Sequence, residues 1–263
     1  MSVITLLTDF GTADGYAGIM HGVILQINPK AIVVDVCHDI CPQDVHEAAF
    51  VLSTVYPYFS EETIHVVVVD PGVGGERRAL GVRTSRGAFV APDNGVLSYV
   101  FAREFISEMV HLTQSSHWLS PLSDTFHGRD VFAPVAAHLS LGVPLADLGT
   151  TIDDPVRLAV PEVTVQQDGS ILGQVLHVDH FGNLVTNVGR DMVPAGQAVT
   201  VTIAERQVIG PVKAYELAVD GQLLALIGSS GCLEIAVRNG NAATMLGVGC
   251  GATVLVAGAG GSA

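Results

Sequence analysis

The segment that follows residue 69 carries two side chains able to activate a small molecule. Asp70 precedes a loop rich in glycine (Gly72, Gly74 and Gly75), and Arg77 follows that loop. Glycines permit a tight turn and a close approach of the backbone to a ligand. An Asp and an Arg at the two ends of one turn can face each other, held by charge-assisted hydrogen bonds when buried. This spacing predicts either a pair that orients a water molecule or a structural salt bridge.

A histidine near residue 127 is also placed for chemistry. His127 lies in the segment Asp-Thr-Phe-His-Gly-Arg-Asp, directly before a predicted helix over Val131–Leu141. The chain has ten histidines, so residue type alone does not single it out, but a loop-to-helix junction favours catalysis over core packing. A metal site would need three or four converging ligands, and no His-x-His or His-Glu-x-x-His spacing occurs. We therefore expect no metal site.

Two loops in the second half of the chain are dense in side chains that form directed hydrogen bonds. The first contains Asp179, Phe181 and Asn183, and the second contains Ser229 and Glu234. Both have glycine turns, which are ordinary in β-hairpins. Two such loops in one small domain also fit a polar recognition surface for a base edge or an amino-acid zwitterion. We take these five residues as candidate substrate-binding residues.

The first half of the chain, which carries Asp70, Arg77 and His127, alternates apolar runs with helical patterns. The runs are Val3–Leu7, Ile32–Val36, Thr63–Val69 and Ala88–Ala91, and further helices are predicted over Gly15–Ile27 and Val45–Val55. Such alternation is typical of βαβ units around a mostly parallel sheet.

Ligands of open α/β sheets bind outside the carboxyl ends of the strands. Asp9 and Asp14 follow the first run and Asp70 the third. An acidic edge of this kind favours a cationic ligand or ribose hydroxyls over a phosphate. Asp9 and Asp14 are therefore further candidate substrate-binding residues, although an Asp in such a place can also cap the next helix.

The pattern changes near residue 150. Short alternating segments replace the helical patterns, and they are typical of a small barrel or sandwich. The prediction is an α/β catalytic domain over 1–150, a linker over 151–162 and a smaller β-barrel-like ligand-binding domain over 163–263. The six predicted strands are Val163–Gln167, Ile171–Val178, Val199–Ile203, Leu223–Ile227, Leu233–Val237 and Thr253–Val256.

Composition excludes several classes of protein. The 263 residues include 12 Lys and Arg against 26 Asp and Glu, a net charge of −14, and only Lys30 and Lys213 are lysines. Phosphate backbones would be repelled, so no nucleic-acid partner is expected. Hydrophobic residues make up 49% of the chain, yet no apolar run reaches the roughly 18 residues of a membrane span. The N-terminal segment has no basic, long-apolar leader pattern, and we expect a cytoplasmic protein.

Taken together, the segments resemble one enzyme family along almost the whole chain, from about residue 3 to 256. The matching segments, in order, are LLTDFGTADGYAGIMHGVILQINP, VVDVCHDICPQDVHEAAFVL, HVVVVDPGVGGERR, FVAPDNGVLSYV, DTFHGRDVFAPVAAHLSLG, VDHFGNLVTN and GSSGCLEIA. They resemble the S-adenosyl-L-methionine hydroxide adenosyltransferases, which are adenosine-forming hydrolases of S-adenosyl-L-methionine (SAM) related to fluorinase and chlorinase.

The resemblance implies no cofactor, because SAM is the substrate, and it implies a set of residue roles. It implies a water-activating triad of Asp70, Arg77 and His127, and a ribose-binding carboxylate at Asp9. It implies methionine contacts at Asp179 and Ser229, and an adenine or nearby polar contact at Asn183. It also implies a homotrimer, with each site between the N-terminal domain of one subunit and the C-terminal domain of its neighbour.

Three other functions stay open at this point. A halide-using SAM transferase is one, although the fluorinase branch has Tyr where this chain has Asp70, and a carboxylate repels halide ions. A non-catalytic protein that binds adenosine or SAM is the second. A metal-dependent hydrolase that uses the surplus of Asp and His is the third.

Overall fold

The structure, a computed structural model, describes residues 2–194 and 196–258. The chain divides into an N-terminal unit up to residue 159 and a C-terminal unit from residue 160. Position 1, position 195 and positions 259–263 of the predicted domains lie outside the described residues. In the predicted linker, the backbone amides of Val156 and Leu158 donate to Asp93 Oδ1 and Ser98 Oγ of the N-terminal unit.

Within residues 2–159, seven strands form one sheet with helices on both faces. The strands are β1 (Val3–Thr8), β2 (Ile32–Cys37), β3 (Ile64–Val68), β4 (Ala79–Thr84), β5 (Gly87–Pro92), β6 (Ile106–Leu112) and β7 (Gly149–Thr151). The helices are α1 (Tyr16–Ile27), α2 (Val45–Val55), α3 (Ser98–Arg103) and α4 (Ala133–Ser140), with a π-helical turn over Gly128–Phe132 directly before α4.

The sheet is mixed, so the prediction of a mostly parallel sheet is wrong. Its order is β2-β1-β3-β5-β4-β6-β7. β2, β1, β3 and β5 are parallel, whereas β4, β6 and β7 run antiparallel to their neighbours. The cause is local: only Ser85 and Arg86 join β4 to β5, and a two-residue connection can join only antiparallel strands.

The predicted helices over Gly15–Ile27 and Val45–Val55 correspond to α1 and α2. Asp44 caps α2 by accepting a hydrogen bond from the backbone amide of Glu47 at 2.9 Å, which satisfies one of the free amides at a helix start. Two apolar clusters, one centred on Phe132 and one on Phe89, fill the space on the two faces of the sheet. They hold the parallel strands so that the segments after β1, β2 and β3 share one edge.

Residues 160–194 and 196–258 form the C-terminal unit, which is built of β-strands apart from one short α-helix and short 3₁₀ turns. Its strands are β8 (Thr164–Val165), β9 (Ile171–Val178), β10 (Leu184–Gly189), β11 (Val199–Ile203), β12 (Arg206–Gly210), β13 (Leu223–Ile227), β14 (Cys232–Val237) and β15 (Thr253–Gly258); the helix is α5 (Ala242–Leu246).

The strand order β12-β11-β15-β9-β10-β14-β13 describes one continuous sheet, with β8 paired to β9 beside it. A bridge from Val212, just after β12, to Leu226 of β13 brings the two edges together. The sheet is therefore nearly closed, as the prediction of a barrel-like all-β domain required. In the part of the chain that the structure describes, no helix has the length and apolarity needed to cross a membrane.

Candidate active site

Asp70, Arg77 and His127 lie together at the carboxyl edge of the N-terminal sheet. Arg77 Nε donates to both oxygens of the Asp70 carboxylate at 2.9 and 3.0 Å, and Arg77 Nη2 donates to Oδ2. Arg77 Nη2 also lies 2.7 Å from Nδ1 of His127. The Arg77 guanidinium therefore joins a carboxylate to an imidazole.

The local backbone explains how the loop folds back. Asp70 lies two residues after the end of β3, and the Gly72–Gly75 turn returns the chain to Arg77 just before β4. Gly74 has a φ of +75°, and a Cβ atom there would lie 2.1 Å from the carbonyl oxygen of Asp124. Only glycine fits this approach, so Gly74 brings the glycine loop against the segment that carries His127.

Burial strengthens the electrostatic interactions within this cluster. The Asp70 and Arg77 side chains are 5% and 11% exposed, so their attraction is weakly screened by solvent. Burial, reinforced by the positive charge of Arg77, lowers the pKa of His127, so the imidazole is neutral at pH 7. A neutral imidazole whose Nδ1 accepts a hydrogen bond carries its hydrogen on Nε2. His127 therefore presents a donor, Nε2–H, on its far side.

Asp70 and His127 line a cavity of about 250 Å³, together with Asp9, Phe10 and Phe126. We call it the N-unit cavity. Arg77 is not among the residues that line it, so the guanidinium lies behind the two side chains that face the cavity. Aromatic rings form its apolar wall: the Phe126 ring meets that of Phe10 edge-on, with centroids 5.7 Å apart.

Asp9 has one carboxylate oxygen committed to the protein. Its Oδ2 accepts a hydrogen bond of 2.8 Å from the backbone amide of Gln43, a residue held at a positive φ of 69°. The sequence does not point to Gln43, because it contributes a backbone amide, which almost every residue type has. Asp14, the other acidic candidate after β1, is exposed and is not among the residues that line the N-unit cavity.

The five candidates from the second half of the chain line one cavity of about 850 Å³ in the C-terminal unit. We call it the C-unit cavity; the five are Asp179, Phe181, Asn183, Ser229 and Glu234. Tyr215 also lines it and was missed, since it lies in a short 3₁₀ turn between strands that showed no motif.

The loop from Asp179 to Asn183 is a self-contained turn. Asp179 Oδ1 accepts from the backbone amides of Phe181 and Asn183, both at 2.9 Å, and Oδ2 accepts from Asn183 Nδ2 at 2.9 Å. Gly182 takes a positive φ of +83° and passes so close to Asn241 that a Cβ would clash. The turn leaves Phe181 71% exposed, and the residue lines the C-unit cavity.

Glu234 is 6% exposed and accepts a hydrogen bond of 2.5 Å from the Tyr215 hydroxyl. Burial raises the pKa of Glu234, the Tyr215 hydrogen bond opposes that rise, and the nearby Asp179 charge adds to it. A Cβ at Gly228 would lie 2.4 Å from Glu234 Oε2, so Gly228 makes room for the carboxylate. Ser229 follows directly, is exposed and lines the cavity.

Among residues 2–194 and 196–258, no group of three or more His, Cys, Asp or Glu side chains is arranged to hold a metal ion. The four cysteines form no disulfide with one another.

Comparison with family models decides the relationship. Residues 4–149 match the SAM hydroxide adenosyltransferase N-terminal domain, and residues 173–255 match the C-terminal domain of the same family. The chain belongs to this family.

Curated relatives agree with that assignment. A protein named (R)-S-adenosyl-L-methionine hydrolase from Salinispora tropica is 41% identical over 249 residues, which cover 93% of this chain and 94% of that one. A protein of the same name from Methanocaldococcus jannaschii is 35% identical and covers 94% and 93%. A fluorinase from an Actinoplanes species is more distant, at 28% identity with 74% of each chain covered.

Among solved structures, an uncharacterized conserved protein from Thermotoga maritima matches with a TM-score of 0.91 at 36% identity. The match covers 97% of this chain and 99% of that one.

Proposed function

We propose that this family member hydrolyses S-adenosyl-L-methionine to adenosine and L-methionine by attack of water at the ribose C5′ carbon. The observation that carries the proposal is the Asp70–Arg77–His127 cluster, which presents a carboxylate oxygen and an imidazole N–H to one cavity. The family assignment and the names of the hydrolase relatives support the same substrate.

The chemistry suits a site of this kind. A bond forms between the water oxygen and C5′ while the C5′–sulfur bond breaks, and the electron pair moves to sulfur. The sulfonium becomes the neutral thioether of methionine, so no acid is needed at the leaving group. One proton leaves the water. The substrate supplies a cationic leaving group, so the reaction needs no cofactor.

The geometry assigns distinct roles to the three residues. Asp70 accepts a hydrogen bond from the attacking water and then its proton, because a carboxylate keeps free lone pairs beside those used by Arg77. His127 orients the water oxygen through Nε2–H. Arg77 fixes both groups and the imidazole tautomer from behind. Such positioning can contribute several kcal/mol toward lowering the barrier.

Substrate binding is divided between the two cavities. Asp9 offers its free Oδ1 to the ribose hydroxyls, as carboxylates do in dinucleotide folds. In the C-unit cavity, Phe181 and Asn183 would receive the adenine, while Asp179, Ser229 and Glu234 would receive the methionine amine and carboxylate. Asp14 has no contact that supports a binding role, and its part stays a prediction from the sequence.

Self-association would complete the site. The N-unit cavity, at about 250 Å³, falls below the roughly 300–1,000 Å³ of typical small-molecule pockets. A homotrimer in which the C-terminal domain of a neighbouring subunit covers this cavity would supply the missing wall. The cytoplasmic location likewise stays a prediction from the sequence.

Incubation with SAM in chloride-free, oxygen-18-labelled water tests the reaction. Mass spectrometry should find one label in the 5′-hydroxyl of adenosine, together with unlabelled methionine. A parallel reaction with chloride or fluoride should yield no 5′-halogenated nucleoside, because Asp70 repels anions. Tight binding without any product over hours would instead favour a binding protein, and loss of activity on chelation would favour a metal-dependent hydrolase.

A further inference from the structure

Asp130 is a buried carboxylate that the proposed chemistry does not use. It lies in the π-helical turn three residues after His127 and is 1% exposed. Its Oδ2 accepts from the backbone amide of Ser123 at 2.8 Å and from Arg129 Nη2 at 2.9 Å, and its Oδ1 accepts from Arg129 Nε at 2.6 Å. Its own carbonyl accepts from the Leu119 amide at 2.9 Å. One residue thus holds the segment 119–127 at two points.

Arg129, the partner of Asp130, also contacts the cavity wall. Its guanidinium carbon lies 5.3 Å from the centre of the Phe126 ring. Phe126 in turn packs edge-on against Tyr16, with ring centroids 5.2 Å apart. Because Phe126 is next to His127 in the chain, the Arg129–Asp130 pair fixes the residue that immediately precedes the imidazole.

The backbone of this turn is itself unusual. The backbone amide of Ala133 donates to the carbonyl of Gly128, five residues earlier, where an α-helix would use the residue four earlier. π-Helical turns are rare and occur frequently at functional sites. A local interaction must hold the turn, and the carboxylate of Asp130 with its three hydrogen bonds supplies one.

We propose that Asp130 is a positioning residue for His127: it fixes the 119–127 segment so that Nδ1 of His127 stays against Arg77 and Nε2–H faces the N-unit cavity. Its effect on the imidazole stands on the geometry alone. Its effect on turnover rests on the proposed hydrolase function.

The test is Asp130→Asn, which keeps the shape of the side chain. An Asn amide group would face either Ser123 N–H or an Arg129 N–H, placing donor against donor, so the segment must shift. Nitrogen-15 NMR of labelled histidine reports the tautomer of His127 directly, with the His127 signals assigned by their absence in His127→Gln. Wild-type protein should give a single Nε2–H tautomer, and Asp130→Asn should give averaged or shifted signals.

Asp93→Asn is the matched control. Asp93 is 4% exposed and likewise accepts from an arginine Nε, that of Arg78 at 2.7 Å, and from a backbone amide, that of Val156 at 2.8 Å. It should lose comparable stability while leaving the His127 signals in place. If Asp130→Asn does not fold, Arg129→Gln removes two of the three hydrogen bonds to Asp130 and carries the same expectation.

Turnover provides the second readout. With SAM, kcat of Asp130→Asn should fall at least about tenfold, with a smaller change in KM, because binding groups are untouched. Unchanged His127 signals in a folded Asp130→Asn protein would overturn the proposal, as would equal shifts in Asp93→Asn. If wild-type protein does not hydrolyse SAM, the proposed function fails, and the NMR comparison still decides the role of Asp130.

Discussion

The Nη2 atom of Arg77 lies 2.7 Å from Nδ1 of His127, although fifty residues separate them in the chain. The same nitrogen also donates to Asp70. The planar fork of arginine lets Nε and Nη2 serve the carboxylate while Nη2 also serves the imidazole, a geometry that a lysine ammonium does not reproduce. The relationship makes Arg77 the residue on which the protonation pattern of the cluster depends.

Arg77→Lys should therefore be nearly as damaging as removal of the side chain. A lysine keeps the positive charge but cannot reproduce the fork, so His127 loses its fixed tautomer. We expect turnover to fall at least about tenfold, or roughly 1.4 kcal/mol, in Arg77→Lys, Asp70→Ala and His127→Ala. Steady-state kinetics with SAM checks this, with Arg86→Lys in the exposed β4–β5 turn as the control. Wild-type rates in all three variants would contradict the triad.

Asp9→Ala should weaken binding more than it slows chemistry. Its free Oδ1 is proposed to accept hydrogen bonds from the ribose hydroxyls, and hydrogen bonds to a charged group are worth about 1.5–3 kcal/mol. Calorimetric titration with adenosine should show a Kd raised roughly tenfold or more. The exposed Asp14→Ala, measured in the same assay, tests whether a second carboxylate after β1 takes part. An Asp9→Ala protein with wild-type affinity would contradict the ribose role.

Much of this arrangement was accessible from the sequence, for physical reasons that differ between residues. Asp70 and Arg77 could be paired because they lie seven positions apart, at the two ends of a glycine turn. His127 could not be paired with Arg77 locally, and only the resemblance to a family joined them. Gln43 escaped notice because its contribution is a backbone amide.

The mixed sheet could not be predicted either, because the sequence gives no signal for the hairpin that joins β4 to β5. The Thr-Ser-Arg-Gly turn before β5 lacks the Asn-Gly or Asp-Gly signal of a tight hairpin, so β4 was not recognised as a strand. In the C-terminal unit, all six predicted strands correspond to observed ones. The sequence of β10 indicated a recognition motif and not a strand. β12 begins with two polar residues, Arg206 and Gln207, so it lacks the alternation of apolar and polar residues that predicts a strand.

Gly74→Ala should disrupt the cluster from outside the cavity. A methyl group there would collide with the Asp124 carbonyl, so the glycine loop must move away from the His127 segment. We expect a loss of stability of more than about 1 kcal/mol, because the positive φ is strained for alanine and the collision adds to that strain, together with reduced kcat. Gly169→Ala is the control, since Gly169 has a similar φ of +80° with open space around it. Equal losses of stability and of kcat in Gly74→Ala and Gly169→Ala would argue against the close approach of Gly74 to the Asp124 carbonyl.

Tyr215→Phe should destabilise the C-terminal unit by leaving the buried Glu234 carboxylate without its donor. The expected cost is about 1–3 kcal/mol in the free energy of unfolding. The pKa of Glu234 should also rise further, because the Tyr215 hydrogen bond is the interaction that lowers it. Urea denaturation at pH 7 measures the loss of stability. Tyr58→Phe is the control, because Tyr58 is 82% exposed. Recovery of stability in Tyr215→Phe combined with Glu234→Gln would attribute the loss to the carboxylate.

His65 should make the N-terminal unit less stable as the pH falls. His65 lies on β3, is 1% exposed and stacks on Phe89 with ring centroids 5.0 Å apart. Its Nδ1 shares a hydrogen bond with the Thr5 hydroxyl, whereas its Nε2 has no hydrogen-bond partner. Burial lowers the pKa of His65 to about 4 from an ordinary 6.5. Between those values the unfolded chain binds a proton that the folded protein does not, so the stabilising contribution is complete above pH 6.5.

That contribution is lost as the pH falls toward 4, by about 3 kcal/mol over the interval. Urea denaturation from pH 7 to pH 4 should therefore show a steeper decline for the wild type than for His65→Gln, which keeps a partner for Thr5 but does not titrate. His46→Gln, at an exposed position of α2, controls for the loss of an imidazole. Parallel declines in the wild type and His65→Gln would mean that the buried imidazole does not set the acid sensitivity of this unit.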